Sequence, residues 1–267
     1  MIFVWLFLIG VGTGIIGAVL GIGGGVIIVP LLTLGLKLPM QNAVAISLAA
    51  IVAVSFGASI SNFRNHLINL KLALILEPLT AFTAILASRI ALGINPNVLK
   101  GIFGFFMFLI SFLMLKPLHF RSKKITGKRC FSYFDPEFKK EIYYDIKNLK
   151  LAALASSLAG FASGLLGVGG GVLKVPILNE VCRVPMRVAT ATSSLMVGVT
   201  ALSASLVYFR HNYLDLNLAF WVILGAVIGS VIGILIKRHL DNYSIKEIFS
   251  LIMFVVGLIM IFEAGIF

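Results

Sequence analysis

Apolar residues in this chain come in long runs and do not alternate with polar ones. Stretches such as Ile2–Leu20, Leu72–Gly93 and Phe249–Phe267 hold few charged residues or none. At a helical rise of ~1.5 Å per residue, each run matches the ~30 Å hydrocarbon core of a bilayer. A membrane barrel would alternate apolar and polar positions over about 10 residues, a pattern not seen here. The runs therefore predict an all-α integral membrane protein. Five apolar segments fall in the first half, at about 2–20, 26–36, 43–61, 71–93 and 99–117. Five more follow at about 149–166, 172–181, 189–208, 217–236 and 246–266. The second segment of each half is too short: about 11 residues cover only half of the apolar thickness. Each carries a proline, Pro30 or Pro176, and follows a glycine-rich break. A half-helix or a re-entrant hairpin is the natural form.

The two halves are one unit written twice. Gly21-Ile-Gly-Gly-Gly25-Val-Ile-Ile-Val-Pro30 returns as Gly167-Val-Gly-Gly-Gly171-Val-Leu-Lys-Val-Pro176, an offset of 146. The offset persists without a gap: Pro39-Met40 falls on Pro185-Met186, Ser47 on Ser193, and Phe63-Arg64 on Phe209-Arg210. Apolar residues align by chance, whereas glycines, prolines and arginines in register do not. The organisation read from this is a first membrane repeat over 1–117, a basic linker over 118–148, and a second membrane repeat over 149–267.

Charge then orients the chain. Residues 116–150 hold ten Lys and Arg against four Asp and Glu, half of the net charge of +12. In a soluble protein that excess would suggest nucleic acid. Between membrane segments it marks the cytoplasmic side, and no nucleic-acid partner is called for. If each half crosses an odd number of times, seventeen basic residues lie inside and four outside. If the short segments dip back alone, the split is thirteen to eight. The first arrangement obeys the positive-inside rule better. It makes the second half an upside-down copy of the first, with a cytoplasmic central loop and both termini outside. Met1–Leu20 has no basic residue before its apolar run, so it reads as a membrane segment and not as a secretory leader.

Inverted repeats with paired broken segments are the architecture of secondary transporters, whose substrate site forms where the breaks meet near mid-bilayer. Exposed backbone amides are tolerated there only around a cavity or ligand. Gly23, Gly24 and Gly25, with Gly169, Gly170 and Gly171, precede the two half-helices, so their N–H groups are candidates for an anion nest. The alternative is close helix packing, the role expected of Gly10, Gly12, Gly14, Gly160 and Gly164.

The doubled GxGGGxxxxP motif, with Pro39 and Ala43-Val-Ala-Ile-Ser47 answered by Pro185 and Ala189-Thr-Ala-Thr-Ser193, resembles the TauE/SafE sulfite exporter family of membrane permeases. The Phe-Arg pair ahead of Asn69 and of Asp215 fits the same resemblance, which spans nearly all of the chain except the central loop. It implies an inner-membrane permease for a small anion such as sulfite, a sulfonate or a carboxylate. A small-anion channel and a non-transporting maturation factor with a similar core are the alternatives. The second needs a reactive cysteine pair that the distant Cys130 and Cys182 do not supply. Dimerisation is common among such permeases, although no dedicated interface motif is present.

Individual residues sharpen this reading. Lys174 stands where the first half has Ile28, and an intramembrane lysine costs about 2.5–3.5 kcal/mol on insertion scales. It is either a counter-charge for the anion or a side chain that snorkels to the surface. Glu77, before Pro78, is the deepest acid. It is either a proton-coupling carboxylate, one held by Lys71, or one sitting at the interface. Ser47, Thr190, Thr192, Ser193 and Ser194 offer hydroxyls to an oxyanion or to neighbouring helices, with Ser47 and Ser193 favoured because both halves keep them. The bilayer and a small anion are thus the expected partners. No cofactor, metal cluster or catalytic set is expected, since no Ser/His/Asp group and no Walker lysine after GxGGG is found. Asn69 and Asp215 read as helix N-caps.

Overall fold

In the computed structural model, the described residues are 2–20, 24–115, 131–135, 140–237 and 242–265. Gly23, Cys130 and most of the central linker lie outside them. The first half contains α1 (Ile2–Leu20), α2 (Gly25–Pro30), α3 (Met40–Arg64), α4 (Leu70–Gly93) and α5 (Pro96–Leu115). The second contains α6 (Leu149–Leu166), α7 (Gly171–Pro176), α8 (Met186–Arg210), α9 (Leu216–Lys237) and α10 (Asn242–Glu263). Both short helices run on into a single π-helical turn, Leu31–Gly35 and Ile177–Val181. A proline inside each short helix withholds an N–H and loosens the ladder where the turn widens. Among the described residues, five helices (α3, α4, α6, α8 and α9) are long and apolar enough to cross a membrane by length and composition. Large apolar side chains such as Leu74, Leu158 and Phe262 point outward and exposed. The buried side chains include many small and hydroxyl residues. That distribution suits a lipid surround, in which close packing and not apolar burial holds helices together.

The all-α expectation needs one correction. Phe131–Asp135 and Lys140–Tyr144 pair antiparallel inside the basic linker, with Phe131 opposite Tyr144. Reading this stretch by charge alone hid its period-two aromatic pattern. Tyr133 and Tyr144 are buried against Leu72, Leu76, Ala152, Leu178, Cys182 and Val188, which docks the hairpin on the ends of α4, α6 and α8. Tyr144 Oη accepts from Asn69 Nδ2 at 2.8 Å. Burial pushes the Tyr144 phenol above its ordinary pKa and keeps it a neutral hydroxyl. Asn69 caps α4 as expected, accepting from Leu72 N–H at 3.0 Å, and Asp215 caps α9 in the same way.

The 146-residue offset also governs the packing. Helix α1 packs on α9, and its offset mate α6 packs on α4; α3 crosses α8, and α5 lies against α10. A methyl on Gly14 would lie 2.2 Å from the Ala226 carbonyl oxygen, and one on Gly160 would lie 2.3 Å from that of Thr80. These are the same contact made twice. Along α5, Gly104 meets Gly257 while Ser111 bonds Ser250, so α5 and α10 run antiparallel. The unusual backbone positions repeat as well. Gly24 and Gly170 both have positive φ, as do Lys37 and Arg183, and His66 and Asn212.

Candidate anion site

A cavity of about 330 Å³ lies where α3 and α9 end and α8 begins. From α3 come Val54, Ser55, Ala58, Ser61 and Asn62. From α8 come Arg187, Thr190, Ser193, Ser194 and Val197, while Gly17 on α1 and Ser230 on α9 close the sides. The contributing residues of α8 recur every three or four positions, which places them on one helical face. A half-buried guanidinium therefore shares this space with hydroxyls and an amide. Ser193 is 1% exposed, and its Oγ finds no hydrogen-bond partner among the described residues. A buried hydroxyl in that state keeps its hydrogen-bonding capacity for a guest in the cavity.

Behind the cavity the two glycine breaks meet. Ser47 Oγ is 2.8 Å from Gly167 O and 3.3 Å from Gly25 O, so one hydroxyl touches both breaks. A methyl on Gly25 would lie 2.7 Å from Gly167 O, and one on Gly169 would lie 3.2 Å from Val197 Cγ1. Val197 thus stands between the cavity and the second break. Gly24, Gly169 and Gly170 adopt positive φ, which only glycine takes readily.

A third feature is a buried ion pair. Lys174 Nζ, fully enclosed, lies 3.1 Å from Glu77 Oε2 and donates to Thr200 Oγ1. Thr200 Oγ1 also bonds Glu77 Oε1, and Thr80 Oγ1 is 3.1 Å from Oε2. Helices α4, α7 and α8 are tied together at this point.

These breaks and half-helices lie within a segment, residues 6–260, that matches the family model for the sulfite exporter TauE/SafE. The chain belongs to the TauE/SafE family. Among its relatives, the probable membrane transporter protein YunE of Bacillus subtilis is 26% identical and covers both chains completely. A probable membrane transporter protein of Xylella fastidiosa is 28% identical over 94% of this chain and 93% of its own. One from Methanocaldococcus jannaschii is 26% identical over 96% of this chain and 94% of its own. No solved structure matches the chain.

Against this TauE/SafE frame, the expected site residues separate. Ser193 lines the cavity; Lys174, Glu77, Ser47, Thr192 and the described glycines of both breaks do not. Thr192 Oγ1 accepts from the Asn69 N–H at 3.0 Å, so it ties α8 to the hairpin's anchor. Lys174 does not snorkel, and the partner of Glu77 is Lys174, not Lys71. Gly10, Gly14, Gly160 and Gly164 pack directly on neighbouring backbone as expected, whereas nothing lies near Gly12. Reading the sequence counted Arg187 only as an inside charge and passed over Ser55, Asn62 and Ser230. The available clue was spacing: Arg187, Thr190, Ser194 and Val197 share one face, as do Ser55, Ala58 and Asn62. Among the described residues, no group of three His, Cys, Asp or Glu is placed to hold a metal ion.

Proposed function

We propose that this member of the TauE/SafE family is a secondary transporter that moves a small oxyanion by alternating access. The cavity between α3 and α8 receives the anion from the cytoplasmic side. The observation that carries this reading is the unpartnered Ser193 Oγ, in one cavity with Arg187, Thr190 and Ser194. A guanidinium offers parallel donors to a carboxylate or sulfonate, and hydroxyls complete the shell. The family description favours a sulfur oxyanion such as sulfite, and the resemblance adds sulfonates.

The two repeats are proposed to be inverted across the membrane. The antiparallel run of α5 against its own mate α10 supports this, because copies pointing the same way would bring equivalent helices together in parallel. In that arrangement the cavity, with Arg187 in its lining, lies on the side of the basic linker. Its floor, Val197, is one side chain from the glycine breaks, where the amides of Gly24, Gly25 and Gly169–Gly171 would meet the anion in transit. Glu77 is proposed as the coupling group. An anion drawn to Lys174 displaces the carboxylate, which is then free to take a proton.

The test is uptake by reconstituted proteoliposomes of labelled sulfite, a sulfonate and acetate, with and without a pH gradient. Saturable uptake of a sulfur oxyanion is expected. Its pH dependence is expected to vanish in Glu77→Gln. Conductance without saturation would turn the reading to a channel. No flux of any of the three anions from folded protein would overturn it.

A further inference from the structure

The cavity has a sealed twin. Shifting each lining position by the repeat offset gives a second set of residues between the opposite ends of the same two helices. Arg187 maps to Gln41, Ser193 to Ser47, Gly17 to Ser163, Val54 to Thr200, Ala58 to Ala204 and Asn62 to Tyr208. In this twin set the space is filled: Gln41, Ser47, Ser163, Thr200, Ala204 and Tyr208 are all buried. Three polar ties close it. Tyr208 Oη donates to Gly164 O at 2.9 Å, Gln41 Nε2 to Ile94 O at 2.9 Å, and Asn42 Nδ2 to Tyr213 O at 3.0 Å. The open copy has Asn62 in place of the tyrosine and Val188 in place of Asn42.

Two hydroxyls carry the comparison further. Ser193 in the open copy is unbonded, whereas Ser47 in the sealed copy is held by the carbonyls of Gly25 and Gly167. Inside the sealed region Ser163 Oγ is buried without a partner among the described residues, the same condition as Ser193. Thr200, another of the twin positions, bonds Lys174, whose ammonium is fully enclosed. A well-packed protein region with an orphan hydroxyl and a buried ammonium at its wall holds the makings of an anion site without the space for one.

We propose that this region is a second oxyanion site in its closed form, opening to the opposite face from the cavity, with Tyr208 as its door. Opening lifts Tyr208 from Gly164, frees Ser47 and Ser163 for the anion, and exposes Lys174 as the counter-charge that Arg187 provides on the first side. The idea rests on the inverted-repeat transport reading, but its test does not require transport.

Cysteine reporters at Ala58 in the open copy and Ala204 in its twin separate the two faces, each in a Cys130→Ser/Cys182→Ser background. A membrane-impermeant maleimide is applied to spheroplasts and, separately, to inside-out vesicles. Ala58→Cys is expected to react from one face only, and Ala204→Cys slowly from the other. Adding Tyr208→Asn, the residue of the open copy, should speed Ala204→Cys labelling from that other face about tenfold by raising the population of the open state. Tyr208→Phe keeps the bulk, loses only the bond to Gly164, and should give a smaller acceleration of about two- to fivefold. Reporter rates unchanged in both variants, or reaction of both reporters from the same face, would overturn the door. Labelling as expected from a folded chain that moves no anion would keep the door and remove the transport reading.

Discussion

Lys174 and Glu77 show how much a single pair can carry in this medium. Each charge alone would be costly in the bilayer interior, and each is tolerated because the other, with Thr200, completes its bonding. Removing one partner strands the other, so Lys174→Met should lower stability by ~3–5 kcal/mol. The double variant Lys174→Met/Glu77→Leu should recover most of that loss, since an apolar pair leaves no charge unpaired. Thermal unfolding of the four proteins in detergent closes the cycle; additive losses would mean that the pair is not coupled. At the cavity, Arg187→Ala should reduce uptake at least about tenfold and Arg187→Lys less, because lysine keeps the charge and loses the planar fork. An unchanged KM in Arg187→Ala would place the anion elsewhere.

Helices here approach through glycine, and the consequences differ sharply between neighbouring positions. A methyl on Gly164 would meet the Ala84 carbonyl oxygen at 2.1 Å, and one on Gly14 would meet that of Ala226 at 2.2 Å. Either substitution forces a helix pair apart, with an expected loss of ~1–3 kcal/mol. Gly12→Ala, on the same helix as Gly14 but with nothing near it, should stay within about 0.5 kcal/mol of the parent. Melting curves of the three variants test the packing directly; equal effects at Gly12 and Gly14 would contradict it. At the α5–α10 crossing, the Gly104–Gly257 approach and the Ser111–Ser250 bond exchange places under the offset. One end gains by proximity and the other by a hydrogen bond.

For the whole molecule, the hairpin of the linker is a structural member and not a tether. It covers Cys182, whose thiol burial pushes up to about 11 in pKa. At neutral pH little thiolate forms, so this cysteine should react slowly with maleimide. In a Cys130→Ser background, Tyr144→Ala should detach the hairpin and raise Cys182 labelling about tenfold through local opening. Fast labelling in the parent would show that the hairpin does not cover it. The same contact reaches α8, which lines the cavity, since Tyr144 bonds Asn69 and the Asn69 N–H bonds Thr192.

The ten segments, their bounds to within a few residues, the two interrupted helices and the doubled plan were legible in the chain, because run length, glycine and proline act locally. The offset of 146 was equally legible, since register survives in residues that chance does not align. The pairing of Glu77 with Lys174, 97 positions apart, was not; nor was the capture of Thr192 by Asn69 or the emptiness around Ser193. Those depend on which helix faces cross, and a run that is apolar all round carries almost no signal of the face it will bury. The repeat told which residues are equivalent; only the packed molecule decided that a cavity lies among one set of them while Gln41, Ser47, Thr200 and Tyr208 of the equivalent set are buried.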